Sequence, residues 1–114
     1  MNHTIDAKNI SLGRVASKAA AFLNAKDSIS FVKNKVVPVV VKIINASQIK
    51  ITGNKLNESV HKHFSGYPSG LKEIKLARVI EKNGYKELIT HAVRGMLPKN
   101  KLQDVRMKNL IIEE

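Results

Sequence analysis

The run Val36-Val37-Pro38-Val39-Val40-Val41-Lys42-Ile43-Ile44-Asn45 constrains the fold more than any other segment. Its β-branched side chains are stiff at χ1 and fit a pleated surface, so residues 36–45 read as a buried strand. Pro38 has no N–H to give a ladder and belongs where the strand begins. The longest apolar run, Val36 to Val41, is interrupted by Pro38 and is far shorter than the roughly 20 residues that cross a bilayer. A buried strand needs cover, and the flanking segments supply helical patterns. His3 to Asp6 reads as a short first strand. Ser11 is a candidate N-cap for a helix over 12–24, with Leu12, Val15, Ala16, Ala19, Ala20 and Leu23 recurring every three or four residues. Arg14 and Lys18 lie four apart on its other side.

The rest of the chain continues the alternation. Ile49 and Ile51 bracket Lys50 in a second extended stretch, and Thr52-Gly53-Asn54-Lys55 has turn chemistry. Val60 to Phe64 alternates, placing His61 and His63 on one side, and Ser65 to Gly70 is a loop. Ile74, Leu76, Ala77, Val79 and Ile80 have helical spacing over 73–82, and Asn83-Gly84 ends that helix like a left-handed stop. Leu88, Ile89, Ala92, Val93 and Met96 form one face of a helix over 85–97, which Pro98 stops. A short helix over 100–108 and a last strand, Leu110 to Ile112, complete an α/β pattern of helices on a sheet. No repeat, linker or low-complexity tract divides the 114 residues, so one domain over 1–114 is expected.

Charge directs the functional reading. Twenty Lys and Arg against nine Asp and Glu give a net charge of +11, the footprint of a protein that meets a polyanion. The cations run along the chain: eight lie within residues 1–53 and twelve within 54–108. Aromatic residues make up only 4% and there is no Trp, so a basic helix with a bulky apolar face for membranes is not expected. The first residues lack a basic stretch followed by an apolar one, so no secretory signal is expected. Without cysteine there is no disulfide framework, thiolate metal site or cysteine nucleophile.

Catalytic patterns fail on spacing. Gly66-Tyr67-Pro68-Ser69-Gly70-Leu71-Lys72 resembles a phosphate loop, but its glycines are too close and Glu73 stands where a hydroxyl is needed. His61 and His63 with Glu58 could be metal ligands, yet Lys62 puts a cation between the imidazoles and no second cluster joins them. No serine lies in a nucleophile-elbow pattern. No enzyme activity, cofactor, metal or small-molecule substrate is expected.

Four basic segments suit RNA. Thr52, Asn54 and Lys55 offer a hydroxyl, an amide and an ammonium around Gly53, where backbone can approach a phosphate. The loop at Tyr67 is flanked by Lys62, His63 and Lys72; Tyr67 either stacks on an unpaired base or anchors the loop by packing. Arg94, Lys99 and Lys101 crowd around the helix stop at Pro98, where Arg94 can fork onto phosphate and Lys99 suits the helix dipole. Gly13, beside Arg14 and near Lys18, is poor for a helix and implies close approach of a strand or of RNA.

The segments Leu12 to Ser17, Ile44-Asn45-Ala46, Ile51 to Lys55, His63 to Lys72 and Ala92 to Asn100, in that order and spacing, resemble the large-subunit ribosomal protein thirteen family in its bacterial form. The resemblance spans about residues 5–112, and Ala92 to Asn100 is its most specific part. It implies a three-layer α/β/α domain with a mostly parallel central sheet and no catalytic residues. It also implies binding to large-subunit rRNA during early subunit assembly, beside neighbouring ribosomal proteins, in a cytoplasmic or organellar ribosome. RNA contacts carry over to Arg14, Thr52, Asn54, Lys55, the Tyr67 loop, Arg94, Lys99 and Lys101. The chain departs from the family at 36–39, where a Gly-Asp turn is usual, and at Leu102-Gln103-Asp104, where Leu-Gly-Arg is usual. Relatives also extend beyond the position of Glu114 with a basic tail, so no contact is carried to these three places. The rival expectation is a regulatory RNA-binding module acting off the ribosome.

Overall fold

The computed structural model describes residues 2–26, 28–29, 34–51 and 60–114. Strands β1 (Asn2–Asp6), β2 (Val40–Ile44) and β5 (Leu110–Ile112) form a parallel sheet in the order β1-β2-β5. Helix α1 (Leu12–Leu23) connects β1 to β2. A second unit is the antiparallel hairpin of β3 (Val60–Phe64) and β4 (Leu71–Lys75). It runs directly into the long helix α2 (Leu76–Met96), which is followed by the short helix α3 (Leu102–Met107). The α/β class is as expected from the sequence.

Sheet register explains which side chains reach the core. His3 and Ile5 pair with Val41 and Ile43, which pair in turn with Leu110 and Ile112. Paired residues share a face. Ile5, Val41 and Ile43 are buried, and His3 stacks on Phe22 of α1 with ring centroids 4.1 Å apart. The opposite face carries Thr4, Lys42 and Ile111, with Val40 and Ile111 exposed. Helix α1 buries Val15, Ala16, Ala19, Ala20 and Leu23. Those alanines allow close approach of α2, which contributes Ile89 and Val93 to the same core. Each fully buried Val, Leu or Ile stabilises by roughly 1.5–3 kcal/mol relative to exposure.

Several boundaries follow the sequence reading. Strand β2 is Val40–Ile44, shorter than the 36–45 expected, and it begins only after Pro38, which cannot donate to a ladder. The 49–51 stretch is extended, and Lys50 bridges Ser11 in parallel. Ser11 is the N-cap of α1, although its side chain makes no capping bond.

Three expectations change. Residues 73–75, expected to open a helix, are strand, because each residue of β4 pairs with one of β3 from Phe64↔Leu71 to Val60↔Lys75. Gly84 does interrupt the helix, but at φ 76°, ψ −178°, a region open essentially only to glycine and distinct from the left-handed helical stop. Met96 is 45% exposed. Leu97, whose backbone has left the helix at φ −82°, ψ 150°, turns into the core in its place.

Candidate nucleic-acid interface

Helix α1 offers the simplest part of the candidate interface. Its core face is apolar, so Gly13, Arg14, Ser17 and Lys18 are left exposed. The Ser17 hydroxyl donates to the Arg14 carbonyl at 3.1 Å. Among the described residues, nothing lies within 4 Å of where a Gly13 side chain would project. Among the described residues, no strand approaches that side of the first turn.

The hairpin supplies a second part. Its register sets His63 beside Lys72 and Lys62 beside Glu73. Lys62 Nζ is 4.0 Å from a Glu73 oxygen, so one expected cation is partly balanced. The tip is held by bonds from Gly70 N–H to the Tyr67 carbonyl and from Ser65 N–H to the Gly70 carbonyl. Tyr67 is 75% exposed, which rules out the packed-anchor alternative. Phe64 and Leu71, paired at the end of the ladder, are also exposed.

His61 is not a ligand candidate beside His63. It turns onto α2, stacking on His91 with centroids 4.0 Å apart and planes 18° from parallel. Burial, then the charge of His91, holds its pKa below the usual histidine value, with Glu87 acting in the other direction. No group of three or more His, Asp or Glu suited to a metal occurs among the described residues.

The third part surrounds the end of α2. Arg94 Nη2 donates to Asp104 Oδ1 at 3.0 Å. Gln103 Nε2 donates to the Arg94 carbonyl at 2.8 Å and reaches the Leu97 carbonyl at 3.5 Å. Asn100 Oδ1 accepts the Leu102 N–H at 3.0 Å. These bonds tie α3 to the last turn of α2 and set the shape of the loop carrying Lys99 and Lys101, both exposed. Arg94 is thus partly engaged within the protein, through Asp104 rather than an acid of its own helix. Gly95 beside it is open to at least 4 Å among the described residues.

Two further observations sort the sequence motifs. Ile44-Asn45-Ala46 is a structural corner. Asn45 sits at φ 57° and donates to Asp6 Oδ1 at 3.0 Å, while Ala46 is fully buried. The Asn45 bond, then that from the Lys8 N–H, holds the Asp6 carboxyl below its usual range. Thr52, Asn54 and Lys55 lie outside the described residues.

Lys75, the last residue of β4, and Arg78 and Lys82 of α2 are exposed cations that the search for basic loops did not single out; Arg78 and Lys82, four apart, lie on one side of the helix.

The family pattern described as ribosomal protein L13 matches residues 1–112. The chain belongs to the ribosomal protein L13 family. Among curated proteins, the large ribosomal subunit protein uL13 of Desulfitobacterium hafniense is 42% identical over 100 residues, covering 88% of this chain and 69% of the relative. That of Pelobacter propionicus is 40% identical over 110 residues, covering 96% and 77%. That of Saccharopolyspora erythraea is 37% identical over 108 residues, covering 95% and 72%. The family resemblance drawn from the sequence motifs is therefore correct.

Proposed function

We propose that this chain is a structural constituent of the large ribosomal subunit that binds 23S-type rRNA and supports subunit assembly. The observation that carries the reading is family membership over residues 1–112, with relatives named as large-subunit proteins. Its role is structural rather than enzymatic, its place is the ribosome, and its partners are rRNA and adjoining ribosomal proteins. The mechanism is phosphate neutralisation by a chain of net charge +11, with loops fitted to RNA shape. Arg14 and Lys18, the His63–Lys72 pair with Lys62 and Tyr67, and Arg94 with Lys99 and Lys101 form the contact set. Thr52, Asn54 and Lys55 complete it as a reading of sequence alone. The bare helix faces at Gly13 and Gly95 support close approach of an RNA backbone beside Arg14 and Arg94.

We also read residues 1–114 as one domain and its sheet as the centre of a three-layer arrangement. Helices α1 and α2, packed on the sheet face that carries Ile5, Val41 and Ile43, supply one helical layer in support of this, while Val40 and Ile111 are exposed on the other face.

The deciding experiment is sedimentation of a tagged chain in a sucrose gradient, followed by protein–RNA cross-link mapping in the purified large subunits. Co-migration with large subunits and cross-links to the named segments are expected. Migration with free RNA or small complexes alone would favour a regulatory RNA-binding module instead.

A further inference from the structure

Strand β4 and the first half of α2 enclose a groove of about 410 Å3, within the range of roughly 300–1,000 Å3 usual for a small-ligand site. Its cations come from two elements: Lys72 from the strand, and Arg78 and Lys82, four residues apart, from the helix. Its apolar surface is Ile74 and Val79, and Asn83 contributes an amide. Val79 is buried and Ile74 is 42% exposed, so the floor is firm yet reachable. Glu73 also borders the groove but lies 4.0 Å from Lys62, and Glu81 stands nearby with Arg78 and Lys82. The cations still outnumber the acids.

An arrangement of cations on two walls, an apolar floor and one amide matches the parts of a nucleotide. Phosphate takes the cations, a ribose or base face covers the apolar floor, and the amide meets a base edge. A duplex buries its base faces and presents phosphates over a broad surface, so it would leave this floor unused. We propose that the groove holds an unpaired nucleotide of RNA, its phosphate between Lys72, Arg78 and Lys82 and its base or ribose on Ile74 and Val79. This rests on RNA being the partner, and it adds a contact region of which the sequence motifs pointed only to Lys72.

The test measures binding of the full chain to large-subunit rRNA, to a labelled single-stranded RNA of about 12 nucleotides, and to a duplex of equal length. Arg78→Ala/Lys82→Ala is compared with Lys26→Ala/Lys35→Ala, which removes equal charge elsewhere. The groove pair is expected to weaken single-strand binding by about tenfold or more and the control pair by less than about threefold, since charged hydrogen bonds are lost only in the first. Ile74→Ser is expected to weaken single-strand binding while leaving duplex binding unchanged. Photo-cross-links from the single strand should map to residues 72–83. Equal losses from both charge pairs, or equal losses for single strand and duplex, would overturn the groove assignment. A wild-type chain that binds none of the three RNAs would instead overturn the RNA-binding reading itself. Thermal melts accompany each variant, and Arg78→Gln/Lys82→Gln replaces the alanine pair if that pair fails to fold.

Discussion

Substituting Gly84 tests the bend in α2 with an outcome whose sign is informative. An ordinary glycine inside a helix becomes more stable by about 1 kcal/mol on change to alanine. Gly84 should respond in the opposite direction. Its backbone, at φ 76° and ψ −178°, lies where a residue with a Cβ is strained by about 1–3 kcal/mol. The break also deprives the second half of α2 of helical acceptors for its first N–H groups. Glu114 Oε1 supplies one, accepting from Tyr85 N–H at 2.8 Å and from Lys86 N–H at 3.4 Å. A Cβ on residue 84 would stand 2.5 Å from that oxygen and displace it. Losing a cap of this kind costs about 1 kcal/mol. Gly84→Ala should therefore destabilise by about 2–4 kcal/mol in urea denaturation, the strain and cap contributions together. Glu114→Ala alone should cost about 1 kcal/mol, and the double variant should cost no more than Gly84→Ala, because the cap is already lost there. A Gly84→Ala protein as stable as the parent or more so would refute the argument, as would full additivity in the double variant.

Gly13→Ala and Gly95→Ala should do the reverse, raising stability by about 0.4–1 kcal/mol each while weakening rRNA binding, because both positions are sterically open among the described residues. Melts and RNA titrations on the same samples separate the two effects. Leu97→Ala should cost about 2–5 kcal/mol in chemical denaturation, whereas Met96→Ala, at a half-exposed site, should cost under about 1 kcal/mol. Asp104→Ala should change stability by no more than about 1 kcal/mol, since the Arg94 pair is exposed on both sides. It should tighten rRNA binding by releasing Arg94 and removing an acid; weaker binding would make Asp104 a holder of the loop instead. The lowered pKa of His61 means that the unfolded chain takes up its proton first as pH falls. The stability conferred by neutral His61 is complete above its ordinary value of 6.5 and is lost as pH drops through and below it. Melting midpoints at about pH 5.5 and pH 7.5 should differ more in the parent than in His61→Phe, and equal differences would show that the stacked pair does not govern this dependence.

Local pattern alone determined a good part of this protein. The β-branched run specified β2, the three-and-four spacing specified the buried face of α1, and Leu110 to Ile112 was legible as a final strand. Gly84 marked the helix break, and the excess of cations marked the partner class. Each of these signals lies within a few residues of its consequence, so chain chemistry suffices to show it. Residues 73–75 differ. Ile74 and Ala77 fit a helical period, but residues 73–75 form strand because β3 lies alongside with a matching register, and that pairing gains its bonds only after the hairpin closes. The core position passed from Met96 to Leu97 because the chain leaves the helix there and rotates the next side chain inward. Arg94 met Asp104 because α3 folds back over the end of α2, and Lys72 met Arg78 and Lys82 across a groove for the same kind of reason. Hydrogen bonds and ion pairs act over a few ångströms in space, whatever the separation along the chain. Periodicity reports which face of an element is apolar, and only the tertiary arrangement decides what each polar side chain finds on the other side.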